Sequence, residues 1–154
     1  MKRSAFTLVE LIFTIVIIGV LAAVAVPNFK NLKQNAEVKA MVKTTIDTAS
    51  SAASAAVNAI DLEDRNTSDA NLSDLVDVKG KGWSYVQGTA GTGTYTYTDK
   101  ANNKAVSHVI FSGPGRQVHY DINCTGFQDT TSQNKCYADT NTTSGTIVDK
   151  NITF

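Results

Sequence analysis

A chain of 154 residues with 42% apolar content accommodates one modest globular domain and one long apolar segment, and excludes a second full domain. Fourteen basic side chains balance fourteen acidic ones, but Lys2 and Arg3 precede the apolar segment, leaving 12 basic against 14 acidic groups after residues 1–5. That mildly acidic balance argues against nucleic acid as a partner.

The segment from Phe6 to Pro27, FTLVELIFTIVIIGVLAAVAVP, is apolar except for Thr7, Glu10 and Thr14. As a helix, Phe6 to Val26 would measure roughly 31 Å, against the ~30 Å of a bilayer core. Three readings compete: a cleavable secretory signal, a permanent anchor, and a segment cut on the cytoplasmic side yet retained as a helix. The small residues around Ala23 and Ala25 suit the first. Glu10 opposes it, because a carboxylate in a membrane helix costs about 2.5 to 3.5 kcal/mol and is by default functional.

Lys2-Arg3-Ser4-Ala5 followed by Phe6-Thr7-Leu8-Val9-Glu10-Leu11-Ile12 strongly resembles the processing and assembly motif of type IV pilins and pseudopilins. The likeness extends through Gly19 to Pro27, covering the first 27 positions closely and the rest in general plan. It implies cleavage by prepilin peptidase between Ala5 and Phe6, removal of a leader at 1–5, and N-methylation of Phe6. Ala5 stands where the family usually has glycine and keeps the residue small. After the cut, Glu10 lies four residues, about 6 Å, from the new amine. The amine of a neighbour displaced along a filament can reach it, a pair worth about 4 kcal/mol at 4 Å and an effective dielectric near 20, before desolvation is subtracted. Glu10 then sets register in a homo-oligomeric helical filament; the weaker alternative is an acid favoured by the helix dipole.

Helical spacing resumes beyond Pro27 at Phe29, Leu32, Ala36, Ala40, Ile46, Ala49, Ala53, Val57 and Ile60, so Pro27 reads as a bend and the helix continues to about residue 60. The membrane or filament-core half is 6–27 and the soluble half 28–60, with Lys30, Lys33, Lys39 and Lys43 on its polar sides. Gly19 and Pro27 bracket the segment with the weakest helical hydrogen bonding, where local unwinding on assembly is expected. The soluble half needs a cover for its apolar stripe. An antiparallel sheet supplies one, giving the α+β plan that the resemblance also implies: a long N-terminal helix on an antiparallel sheet.

Residues 61–154 form the head. Asp61 to Gly82 reads as a connecting loop with at most one helical turn. Candidate strands are Trp83 to Gln87, Thr94 to Thr98, Ala105 to Phe111, Gln117 to Ile122 and Thr146 to Phe154. Gly88, Gly91 and Gly93 have the wrong spacing for a phosphate loop and read as a hairpin connection. Ser112-Gly113-Pro114-Gly115 reads as a second hairpin turn pairing Phe111 with Arg116, Val109 with Val118 and Ser107 with Tyr120. That register sets His108 opposite His119 with Asp121 one diagonal step away, a weak metal-site candidate against the favoured reading of an exposed histidine pair. No cofactor is expected.

Cys124 and Cys136, in an exported region, read as a disulfide around the polar loop Thr125 to Lys135, worth about 3 kcal/mol. The loop resembles the disulfide-bounded region of many type IV pilins and tilts the choice away from the major pseudopilins. N-x-[ST] occurs at Asn66, Asn71, Asn123, Asn141 and Asn151, each with aspartate two residues earlier. With 14 acidic residues in 154, five independent coincidences would arise about six times in a million. Loops favour Asp, Asn, Ser and Thr together, which makes chance less remote. The pattern resembles the extended acceptor sequence of bacterial N-oligosaccharyltransferases, making such an enzyme a candidate partner.

No catalytic arrangement is present: there is no G-x-S-x-G, H-E-x-x-H, Walker loop or C-x-x-C. The expectation is a structural subunit of a type IV pilus, held in the inner membrane before its assembly machinery builds it into an extracellular filament. The alternatives are a pseudopilin of a type II secretion system in a periplasmic filament, and a membrane-anchored module for adhesion or DNA uptake.

Overall fold

The computed structural model describes residues 6–154; the expected leader, including Ala5 on one side of the cleavage junction, lies outside the described residues. The chain divides into two units, Met1–Gln34 and Asn35–Phe154.

Helix α1 (Leu8–Val57) begins in the first unit and is assigned as helix through both Gly19 and Pro27. The side-chain amide of Asn28 donates to the Val24 carbonyl at 3.2 Å, one turn back. All sixteen Leu, Ile, Val and Phe side chains from Phe6 to Leu32 are exposed within the chain, from 43% at Ile17 to 73% at Leu8 and Val9. The helix is long and apolar enough to cross a membrane.

In the second unit α1 buries one face: Val38, Met41, Val42, Thr45, Thr48, Ala49, Ala52, Ala53 and Ala56, steps of one and three residues that keep a single stripe inward. A π-turn (Asn58–Leu62) closes the helix, with Glu63 N–H donating to Asn58 O at 3.0 Å. A short helix α2 (Leu72–Leu75) follows in the connecting segment and buries Leu72.

Strands β1 (Trp83–Gln87), β2 (Thr92–Asp99), β3 (Lys104–Ser112), β4 (Gln117–Ile122) and β5 (Val148–Thr153) form an antiparallel meander in that order. Alternation along the strands sends Tyr95, Val109, Phe111, Val118 and Ile122 into the interior, where each is at most 4% exposed. Two apolar clusters result. One joins the alanine face of α1 to Leu72, Tyr95, Val109, Phe111 and Val118. The other joins Val38, Met41 and Val42 to Val106, Ile122, Phe127, Tyr137 and the two cysteines. Methyl-sized side chains at Ala49, Ala52, Ala53 and Ala56 leave room for the aromatic and branched side chains of the sheet. The more deeply buried of the two threonines on that stripe is met in kind: Thr45 donates to the Met41 carbonyl at 2.9 Å, leaving its oxygen for the Ser107 hydroxyl of β3 at 2.7 Å.

Two expectations are corrected. The β3–β4 turn is longer than the two-residue form: Ser112 pairs with Gln117, and Phe111, Val109 and Ser107 pair with Val118, Tyr120 and Ile122. Arg116 occupies the left-handed region at φ 48°, which lets a four-residue turn close. Its guanidinium is held by Asp61 at 2.9 and 2.8 Å and by the Phe154 carbonyl at 2.8 Å, so distant segments fix this turn. The second correction concerns the disulfide loop, which is largely helical. After a 3-10 turn (Cys124–Gly126) comes α3 (Thr130–Thr140), capped by Asp129 accepting from Ser132 N–H at 2.8 Å and ended by Asn141 at φ 52°. It buries Ser132, Cys136 and Tyr137.

Candidate functional site

The start of α1 is a reciprocal cap. Thr7 donates from its backbone N–H and its hydroxyl to Glu10 Oε2, at 2.9 and 2.7 Å, and Glu10 N–H donates to Thr7 Oγ1 at 3.3 Å. This satisfies donors that a helix N-terminus leaves unpaired and fixes the carboxylate against that end. The spacing Thr-x-x-Glu is the sequence signature of this box, so the sequence carries a signal for Thr7 as well as for Glu10. Phe6 precedes the cap and is 72% exposed. A Cβ built at Gly19 would meet nothing within 4 Å in this chain, so intrachain packing does not require glycine there.

Cys124 and Cys136 are disulfide-bonded, with Cα atoms 5.6 Å apart and no exposed surface on either residue. The histidines do not face each other. His108 lies opposite Asp121 in the ladder, and its Nδ1 is 2.9 and 3.0 Å from the two carboxylate oxygens. His119 lies opposite Ile110, and its Nε2 is 2.9 Å from Asp149 of β5. The two-residue change in the turn keeps all three groups on one face yet divides them into separate His–Asp pairs. Among the described residues, no group of three or more His, Cys, Asp or Glu side chains is arranged to hold a metal ion.

A cleft of about 250 Å³ in the second unit is lined by Glu37, Met41, Lys79, Lys81, Trp83 and Tyr97 among others. The rings of Trp83 and Tyr97 meet edge to face at 5.5 Å. Burial, with the Glu37 carboxylate next, holds the Tyr97 hydroxyl above its ordinary range, and burial does the same at Tyr95, which hydrogen-bonds the Val76 carbonyl at 3.0 Å. Asp77 raises Lys79 by hydrogen bonding and charge. Its polar lining is Thr44, Lys79, Lys81, Lys100, Glu37 and Asp99.

An apolar helix opening on a capped acid, followed by a disulfide-bonded head with an antiparallel sheet, defines a filament-type subunit with an N-terminal assembly helix. The prokaryotic N-terminal methylation motif matches residues 1–26. A type IV major pilin protein PilE1 of Neisseria gonorrhoeae is 30% identical over 120 residues, covering 78% of this chain and 67% of that protein. A fimbrial protein of Neisseria meningitidis is 32% identical over 102 residues, 66% of this chain and 58% of its own, and a second gonococcal PilE1 is 30% identical over 104 residues, 68% and 63%. No solved structure matches. The chain belongs to the type IV pilins, the structural subunits of type IV pili.

Proposed function

We propose that this pilin is cut between Ala5 and Phe6 by prepilin peptidase, is N-methylated on Phe6, and waits in the inner membrane as a single-pass protein until the pilus machinery adds it to an extracellular helical filament. Its parts are then a leader at 1–5, a span and filament core at 6–27, a soluble half-helix at 28–60 and an exported head at 61–154. Its role is structural and not catalytic. One observation carries the reading: sixteen large apolar side chains, each worth about 1.5 to 3 kcal/mol on burial, lie uncovered along the start of α1. Lipid covers them first, and the same helix of other copies covers them in the filament. Relatives named as major pilin and fimbrial proteins favour the pilus over a secretion pseudopilus.

Within that filament Glu10 receives the Phe6 amine of a neighbouring copy, and Thr7 holds the carboxylate in place beforehand. Gly19 and Pro27 supply the segment that loosens on assembly. Glu10→Ala should leave membrane insertion and cleavage intact while fibres disappear from electron micrographs of the cells. Normal fibres from that variant would remove the register role. A filament map with an unbroken helical ladder from Gly19 to Pro27 would remove the loosening.

A further inference from the structure

The five N-x-[ST] sites, each with aspartate two residues earlier, are placed very differently in the fold. Asn71 sits at the start of α2, and the next residue, Leu72, has no exposed surface. Asn123 is half-buried and its Oδ1 accepts from both the N–H and the hydroxyl of Thr125, at 3.1 and 2.7 Å, so the acceptor amide and the required hydroxyl are engaged with each other. The bridged Cys124 between them has no exposed surface. Asn151 lies in the middle of β5, paired with His119 in the ladder. Asn66 and Asn141 are both exposed and lie outside helix and strand; Asn66 Oδ1 also accepts from the N–H two residues on, Ser68, at 3.0 Å, but the Ser68 hydroxyl is not drawn into that turn as the Thr125 hydroxyl is at Asn123.

The loop carrying Asn66 is also well placed. The carbonyl of Thr67 rests on two hairpin tips, where a Cβ at Gly91 or Gly113 would come within 2.4 or 2.1 Å of it. Asp64, Arg65 and Asn66 remain exposed. At the other site Asp139 is ion-paired with Lys135 one turn back, so its carboxylate is less available.

We infer that Asn66 and Asn141 are N-glycan acceptors, that Asn66 is the more fully occupied, and that the other three sites stay bare. In the transfer, Asn Nδ2 attacks C1 of an oligosaccharide carried on a lipid diphosphate. The N–C1 bond forms, the C1–O bond to the diphosphate breaks, one Nδ2 proton passes to a base, and the lipid diphosphate leaves. The hydroxyl two residues on and the carboxylate two residues before offer the transferase a hydrogen bond and a negative charge. The inference needs an exported head, which the filament reading supplies.

Glycopeptide mass spectrometry of native filaments tests it. The expected result is a glycan mass on the Asn66 and Asn141 peptides and peptide mass alone at Asn71, Asn123 and Asn151. Asp64→Asn keeps a residue type at home in the left-handed backbone found there, φ 54°, and should abolish the glycan at Asn66 while sparing Asn141. Filaments that assemble with bare Asn66 and Asn141 overturn this inference and leave the pilus reading standing. Glycans of similar occupancy on Asn71, Asn123 or Asn151, or full occupancy of Asn66 in Asp64→Asn, overturn it too.

Discussion

Helix α1 meets two environments along one backbone, and its side chains differ accordingly. From Phe6 to Leu32 sixteen large apolar side chains point all around the helix and find no cover in the chain, with only the side chains of Ala22, Ala23 and Ala25 small among them. From Val38 to Ala56 they form one stripe that shrinks to alanine where Phe111, Val109 and Val118 approach. Size thus tracks cover: methyl groups serve where the sheet has already filled the space, and large side chains dominate where nothing in the chain packs on them. Equal truncations in the two regions should therefore have unequal consequences. Phe111→Ala should cost about 3 to 5 kcal/mol, read by denaturant unfolding of the full chain in detergent, whereas Ile12→Ala should leave that transition unmoved and weaken only the fibres. Equal losses would break the contrast.

The next effect sharpens the description of the head. Replacing both Cys124 and Cys136 by serine should lower stability by about 3 kcal/mol and reduce the helical signal of α3, without altering Phe6 to Leu32. A smaller one probes how the sheet is seated on α1. Thr45→Val strands the buried Ser107 hydroxyl and should cost about 1 to 3 kcal/mol, while the double change with Ser107→Ala should recover part of that loss. Strictly additive losses would show that the pair does not act as a unit.

Much of this architecture is legible in the sequence because period and punctuation agree. The start of β1 and both ends of β4 fall at the expected residues, Trp83, Gln117 and Ile122, since alternating side chains are bounded there by glycines and turn residues. Helix α3 was hidden because Thr130-Thr131-Ser132 are poor helix formers; the Asp129 cap, the Lys135–Asp139 pair and burial of Cys136 and Tyr137 outweigh that weakness. The turn after β3 departs from the two-residue form because Arg116, in left-handed backbone, is held by Asp61 and the Phe154 carbonyl, contacts that no local pattern encodes. At the start of α1 the acid stood out from its apolar surroundings, and its partner Thr7 did not, although the two form one box.

The strand order β1-β2-β3-β4-β5 has a consequence for how the head is made. Every strand pairs with the one just before it, so each ladder closes over a short span of chain, except the last, which must wait for α3 and its disulfide. Ordering short spans costs little entropy. The first three ladders can therefore form as local hairpins. The final strand is tied back to the turn after β3, because Arg116 Nε donates to the Phe154 carbonyl at 2.8 Å.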